Sequence, residues 1–194
     1  MTGLGGVLAR LRTDLQSLKI QWALVGGVAV SIQAEPRTTL DLDVAIAVGR
    51  DEEAEHIAFS LKNRGYREQA VLEQKDVARL ATVRLLAPGG AGSDIGVDLL
   101  FASSGVEAEI VAMAEVLEVL PGLYIPTACR GHLIALKVLA GRDKDRMDAR
   151  MLLSYADSGD LRLARETLAL IQQRGFSRGK DLLAELAHLE EPEG

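Results

Sequence analysis

The sequence contains little cysteine, few aromatic residues and no long apolar run. Its single cysteine, Cys129, cannot form a disulfide within the chain, which favours a cytoplasmic location. Aromatic residues make up only 4% of the 194 residues, which disfavours a surface that stacks RNA bases. No apolar run approaches the ~20 residues of a membrane helix. No apolar segment follows Arg10 and Arg12 either, so we expect neither a membrane span nor a signal peptide.

The remaining composition is that of an ordinary globular protein. Hydrophobic residues make up 48% of the chain and charged residues 26%, which excludes intrinsic disorder and fibrous structure. The length suits one domain, or one domain with a small appendage. The net charge of −6 argues against sequence-independent coating of nucleic acid, although it is compatible with a local basic patch.

Apolar periodicity predicts a first part that mixes strands with helices and a second part that is helical. The predicted helices cover 4–18, 28–34, 52–64, 127–140, 142–156, 161–173 and most of 181–194. The predicted strands cover 21–25, 40–48, 66–72, 81–87 and 95–101, and the last two form a hairpin around the glycine-rich segment 88–92. Residues 114–124 are expected to be irregular with a strand at the end. Thr127 is expected to be the N-cap of the helix that follows.

The densest chemical signal is a diglycine that is followed at a short distance by two acids. Gly26 and Gly27 come directly after a predicted strand, where a bare backbone can approach a phosphate at the N-terminus of the next helix. Asp41 and Asp43 stand two residues apart in a predicted strand, so alternation places both on one face. Two like charges there repel unless a cation lies between them, and hard oxygen ligands suit Mg²⁺ or Mn²⁺.

A third acid interrupts the apolar strand at 95–101. Asp98 lies between Val97 and Leu99, where an acid is costly unless it is paired or bound to a metal. Three carboxylates on neighbouring strands beside a phosphate-binding turn are typical of a two-metal site for phosphoryl transfer.

These residues carry a resemblance to a known family. The stretch 26–44 resembles the signature of polymerase-β-like nucleotidyltransferases: a glycine turn, a spacer, and an Asp-x-Asp on a strand, with a later third Asp. The Arg37-Thr38 lead-in and the segment 136–145 resemble the abortive-infection (AbiEii-type), or minimal nucleotidyltransferase, branch, and the resemblance covers roughly residues 20–150. It implies an α+β fold in which a small mixed or antiparallel sheet is flanked by helices. Residues 1–125 would form the nucleotidyltransferase core, and 126–194 a helical region packed on it.

The resemblance implies transfer of a nucleoside monophosphate from an NTP to a hydroxyl or phosphate acceptor. Asp41, Asp43 and Asp98 would bind the Mg²⁺ or Mn²⁺ ions, and Asp98 would also activate the attacking hydroxyl. The residues expected to bind the nucleotide are Gly26, Gly27, Arg37, Thr38, Lys137 and Lys144. The acceptor would be an RNA end (a tRNA end included), a protein or a small molecule such as an aminoglycoside. The branch also implies a toxin role, with an antitoxin-like protein partner and no membrane association.

A basic stretch supports the nucleotide site independently. Residues 130–150 carry six basic and three acidic groups within an acidic protein. If one helix continues through Gly141, residues seven or eleven apart share a face. A stripe of Arg130, Lys137, Lys144 and Asp148 would then face the acids.

Two other functions remain open from the residues alone. Gly27 stands where many active members carry serine, so a catalytically silent nucleotide-binding or protein-interaction module on the same fold is one alternative. A hydrolase that uses the same metals is the other. The histidines lack metal-ligand spacing, and His132 is expected on a helix surface. Cys129 has no identifiable activating partner.

Overall fold

The computed structural model describes residues 3–74, 79–88 and 95–191, and these form eight helices and seven strands. The helices are α1 (Leu4–Ser17), α2 (Gly26–Gln33), α3 (Asp51–Lys62), α4 (Glu107–Ala112), α5 (Arg130–Ala140), α6 (Asp143–Ser154), α7 (Ser158–Gln173) and α8 (Leu182–Glu190). The strands are β1 (Trp22–Val25), β2 (Leu42–Ile46), β3 (Arg67–Gln74), β4 (Arg79–Leu86), β5 (Gly96–Leu100), β6 (Glu115–Leu120) and β7 (Leu123–Thr127).

All seven strands form one mixed sheet in the order β3-β4-β5-β2-β1-β7-β6. The central pair β2 and β5 is parallel, and so is the contact of β1 with β7, whereas the other neighbours are antiparallel. The expected α+β fold is therefore confirmed, as is the predicted hairpin of β4 and β5. The tip of that hairpin, 89–92, lies outside the described residues.

The core lies where the apolar central strands meet the helices. Strands β1, β2 and β5 are buried along almost their whole length, as expected for strands covered on both faces. Helices α2 and α4 pack on β1 and β2, while α5 packs on α2 and on all three helices that follow it. The four last helices are thereby joined to the sheet through α2, which carries the diglycine. The proposed division at 125/126 remains a prediction.

The structure corrects four predictions in the chain's second half. The sequence predicts residues 114–124 to be irregular with a strand at the end; the terminal strand is confirmed as β7, but β6 precedes it, and the two strands form a hairpin that turns at Gly122 with a φ of 76°. Thr127 is the last residue of β7 and not an N-cap: its hydroxyl donates to the carbonyl of Ile125, and α5 begins only at Arg130.

The continuous stripe along 130–150 is the third correction. Helix α5 ends at Ala140 because Gly141 adopts a left-handed conformation with a φ of 67°, and α6 starts a new direction at Asp143. Arg130 is paired with Asp160 of α7 at 2.7 Å and therefore belongs to a helix–helix contact. His132, expected on a helix surface, is buried with 1% of its surface exposed.

Among the described residues, no helix combines the length and the apolar character that crossing a membrane requires.

Candidate active site

An open cavity of about 820 Å³ lies at the sheet between the ends of β1, β2 and β5 and the helices α5 and α6. All nine residues that the sequence predicts for the site line it: Gly26, Gly27, Arg37, Thr38, Asp41, Asp43, Asp98, Lys137 and Lys144. The structure thus brings together segments that lie more than a hundred positions apart in the chain.

The sheet register sets two of the three acids side by side. Asp43 on β2 is the direct partner of Asp98 on the parallel strand β5, and Val25 at the end of β1 is the partner of Asp43 on its other side. Side chains at directly paired positions point to the same face of a sheet. Asp43 and Asp98 therefore project together, next to the diglycine that follows Val25.

The sequence predicts that Asp41 lies within a strand. In the structure, β2 begins one residue later, at Leu42. The carboxylate of Asp41 nevertheless lies near the other two acids, against the backbone of Gly96 at the start of β5. A Cβ at Gly96 would come within 2.5 Å of Oδ1 of Asp41. Glycine at position 96 leaves the space that this carboxylate occupies.

The negative charges of the three carboxylates repel one another, and this repulsion affects the pKa of Asp43. Burial raises the pKa of Asp43 above its ordinary value, and the negative charges of Asp98 and Asp41 raise it further. The positive charge of Lys137 and a hydrogen bond from the backbone of Gly27 oppose the rise without cancelling it. A cation bound between these carboxylates would relieve this cost.

Asp98 has a partner that the sequence analysis did not identify. Arg84 on β4, directly opposite Asp98 in the antiparallel register, donates from Nε to Oδ1 at 2.6 Å and from Nη2 to Oδ2 at 2.5 Å. This bidentate geometry engages both carboxylate oxygens. The pKa of Arg84 is raised, mainly by Asp98 and to a smaller extent by Asp41 and Asp43. Arg84 is thus the cation nearest to the third acid.

The two glycines are required for different reasons. Gly26 is the first residue of α2, so the helix starts at the diglycine itself and not at residue 28 as predicted. Its φ is 65°, and a Cβ there would come within 1.9 Å of Oδ2 of Asp43. Gly27 has ordinary backbone angles, but a Cβ would come within 2.6 Å of Nη2 of Arg37 and 2.9 Å of the Thr39 hydroxyl. Each glycine leaves room for a functional side chain.

Lys137 and Arg37 belong to a buried charge network with two acids of α6. The Lys137 ammonium lies 2.7 Å from Asp148 and 3.1 Å from Asp145. Burial alone would raise the pKa of Asp145, but the hydrogen bond from Arg142 and the charge of Lys137 outweigh it and hold the pKa below its ordinary value. The sequence analysis placed Asp148 on the stripe; in the structure it is 3% exposed and interior.

The rim of the cavity carries further basic groups. Lys144 and Arg142 project from the start of α6, Arg178 from the segment after α7, and Arg84 from β4. All four are exposed or half-exposed, as is Thr38. Arg178 is held toward the cavity by a hydrogen bond to the carbonyl of Ser103. Arg84 and Arg142 are ion-paired with Asp98 and Asp145, whereas Lys144 and Arg178 make no ion pair with the described residues, so these two give the mouth its unpaired positive charge.

The donor set suits a hard divalent cation, because its oxygens come from carboxylates. As they stand, no three histidine, cysteine, aspartate or glutamate side chains among residues 3–74, 79–88 and 95–191 are arranged to hold a metal ion. Both oxygens of Asp98 accept hydrogen bonds from Arg84. Asp41, Asp43 and Asp98 line one cavity and suit such a cation by their chemistry, and Asp98 would have to give up its ion pair to bind one.

The model of the family described as "Nucleotidyl transferase AbiEii toxin, Type IV TA system", where TA denotes toxin–antitoxin, matches residues 7–193. The match spans both the sheet and the helical part. None of the curated proteins matches the sequence.

Solved structures share the fold at low sequence identity. A nucleotidyltransferase-like antigenic protein from Paracoccidioides brasiliensis is 20% identical with a TM-score of 0.52, over 94% of this chain and 91% of that one. The antibiotic-resistance factor ANT(2'')-Ia in solution is 16% identical with a TM-score of 0.56, over 94% of both chains. A crystal structure of ANT(2'')-Ia with adenylyl-2''-tobramycin is 14% identical with a TM-score of 0.57, over 88% and 99%. At these identities the likeness shows the fold.

Proposed function

The chain belongs to the AbiEii family of nucleotidyltransferases, and from that premise we propose that it transfers a nucleoside monophosphate from an NTP to an anionic acceptor, with metals held by Asp41, Asp43 and Asp98. The observation that carries the proposal is the register that pairs Asp43 with Asp98 beside the diglycine. In the reaction an acceptor oxygen bonds to the α-phosphorus, the bond from that phosphorus to the bridging oxygen breaks, and pyrophosphate leaves.

The metals would be Mg²⁺ or Mn²⁺ on the three carboxylates. When bound, such ions lower the pKa of an attacking hydroxyl and neutralise the charge of a leaving phosphate. Asp98 is the candidate to take the proton of that hydroxyl. Burial, together with the charges of Asp98 and Asp41, raises the pKa of Asp43, and a bound divalent cation would offset both effects, which supports metal binding here.

The chain's own cations would hold the triphosphate. Arg37 and Lys137 line the cavity next to the diglycine, and Lys144 and Thr38 lie at its mouth. The N-terminus of α2 adds the partial positive charge of a helix end. Lys137 is tied to two acids of α6, so its ammonium is fixed in place toward the cavity floor.

The charges at the rim favour an RNA end as the acceptor. Lys144 and Arg178 carry the unpaired charge of the mouth among the described residues, while Arg84 and Arg142 are paired with Asp98 and Asp145. A polyanion is attracted to such a rim, and a polycationic aminoglycoside is repelled by it. The complex with adenylyl-2''-tobramycin is a property of ANT(2'')-Ia and does not identify the acceptor of this chain. Protein hydroxyls are a second possible acceptor class, and the test separates the three.

The biological role that follows is that of a cytoplasmic toxin whose effect is countered by an antitoxin. Family membership supports this role, since the family description names a toxin of type IV toxin–antitoxin systems. The expected outcome is growth arrest when the chain is produced alone in its host, and relief when Asp41 and Asp43 are both changed to asparagine.

The direct test offers each α-³²P-labelled NTP, with Mg²⁺ or Mn²⁺, to separate pools of RNA, protein and aminoglycosides. Label is expected on RNA, and it should be lost in the Asp41→Asn/Asp43→Asn variant. Asp51→Asn is the matched control, because Asp51 is paired with Arg79 outside the cavity and should leave transfer unchanged. Label on no acceptor would overturn the proposal, and label on an aminoglycoside or protein would overturn the choice of acceptor.

A further inference from the structure

Arg37 lies directly over the diglycine. Its Nη2 would be 2.6 Å from a Cβ at position 27, which is closer than real Cβ contacts come. A side chain at position 27 and the guanidinium of Arg37 therefore compete for one space. Whichever group occupies that space stands at the N-terminus of α2, where an anion is favoured.

The guanidinium is held there from behind by the helical part of the chain. Nη2 of Arg37 donates to Oδ2 of Asp148 at 3.0 Å, and Nε lies 2.9 Å from Oδ1. Asp148 is nearly buried, with 4% of its side chain exposed, while the Arg37 side chain is 27% exposed. Arg37 lines the cavity, and Asp148 is not among the lining residues.

The contacts of Arg37 leave donors for a ligand. A guanidinium carries five N–H groups. Asp148 accepts a hydrogen bond from Nη2, whereas Nε, although 2.9 Å from Oδ1, is buried and makes no hydrogen bond with the described residues, and Nη1 makes one long contact of 3.4 Å with the carbonyl of Thr38. Within the described part of the chain, the remaining N–H groups of Nη1 and Nη2 are therefore available to a phosphate oxygen. Arg37 is also fixed through its backbone, because its N–H donates to the hydroxyl of Ser31 on α2.

We propose that Asp148 is a positioning residue for nucleotide binding, which holds Arg37 against Gly27 so that the guanidinium presents a hydrogen-bond donor to a phosphate at the N-terminus of α2. The inference rests on the proposed function of the cavity. Asp148 is also ion-paired with Lys137 at 2.7 Å, so a single buried carboxylate orients two cations of the site.

The first experiment measures KM and kcat for the NTP with Asp148→Asn. Losing the ion pair frees Arg37 to leave the diglycine, so KM should rise about tenfold while kcat changes less, as expected for a lost charge-assisted hydrogen bond. Asp14→Asn is the matched control: Asp14 is a similarly buried acid paired with Arg64, and it lies outside the cavity. It should leave the KM unchanged even where it lowers thermal stability.

The second experiment tests the competition for space and leaves Asp148 intact. Gly27→Ser alone should raise the KM at least tenfold, because the new side chain displaces the guanidinium. Arg37→Ala alone should raise it about as much. The same Gly27→Ser change made in the Arg37→Ala variant should lower the KM by about threefold or more, since the space is then open and a hydroxyl donor returns.

The outcomes separate the two proposals. If the wild-type protein neither binds nor transfers any nucleotide, the proposed function fails. If the wild type is active but Asp148→Asn matches it in KM, the positioning role is wrong. It is equally wrong if Gly27→Ser is tolerated beside Arg37, or if it brings no gain in the Arg37→Ala variant.

Discussion

At the scale of single residues, the acids of the cavity are ion-paired with cations whose pairing cannot be predicted from the sequence. Asp98 stands out in an apolar strand, and its position can be predicted. Its partner Arg84 cannot, because the glycine-rich segment 88–92 predicts that the two strands form a hairpin but not the register that sets Arg84 opposite Asp98. Asp148 and Arg37 are separated by 111 positions, and no periodicity connects them. The candidate metal ligands were thus predictable, and the groups that orient them were not.

The ion pair of Arg84 with Asp98 predicts competition with metal binding. A metal that uses Asp98 must displace two short hydrogen bonds, so Arg84→Met should bind Mn²⁺ about three- to tenfold more tightly than the wild type in the absence of nucleotide. Isothermal titration measures this directly. Asp98→Asn is the counterpart and should weaken Mn²⁺ binding. Weaker binding by Arg84→Met would mean that Arg84 supports the metal site instead of competing with it.

At the scale of elements, the strands and helices with a strong apolar pattern were predictable and the edges were not. The buried strands β1, β2 and β5 and the helices α1, α3, α6 and α7 lie where the pattern predicts them, within a few residues. Strand β6 is an exposed edge whose residues alternate between exposed and half-buried, so its pattern resembles an irregular segment. Threonine is a favourable N-cap residue, which is why the sequence predicts a cap at Thr127. In the structure, Thr127 instead pairs with Leu24 of β1 and is part of the sheet.

The break between α5 and α6 depends on Gly141. Its left-handed conformation costs any other residue about 1 kcal/mol, so Gly141→Ala should lower the free energy of unfolding by about that amount. A new Cβ would also come within 2.5 Å of Nζ of Lys180, and moving this ammonium would weaken its hydrogen bonds to the carbonyls of Leu139 and Ala140, which adds to the loss. Urea unfolding measures the change. A stabilised Gly141→Ala variant would mean that the two helices tolerate fusion into one, and Gly175→Ala gives a second left-handed glycine for comparison.

At the scale of the whole molecule, stability should depend on pH through a buried histidine. Burial lowers the pKa of His132 to about 4, and within the described residues its Nδ1 has no hydrogen-bond partner. In the unfolded chain the pKa is about 6.5, so the unfolded state binds more protons between these values. This contribution is complete above about pH 6.5 and is lost as the pH falls toward 4, on the order of 3 kcal/mol in all.

The test compares melting temperatures of wild type and His132→Leu across this range. The wild type should lose stability steadily below about pH 6.5. The variant should lose less, because it has no group at that position to take up a proton. His188→Leu is the control, because His188 is exposed on α8. Parallel curves for wild type and His132→Leu would show that the acid sensitivity comes from other groups.

The contact of Arg37 with Asp148 also sets an order of events during synthesis. Arg37 leaves the ribosome 111 residues before the carboxylate that holds it, a delay of roughly 6–22 s at ordinary rates of translation. In that interval the sheet strands that carry Asp43 and Asp98 have been made, but the arginine beside Gly27 lacks its counter-charge. On the proposed role of Asp148, a nascent chain would bind nucleotide poorly until α6 emerges and packs. On the proposed toxin role, the enzyme would then acquire its full affinity for nucleotide only after α6 has been synthesised.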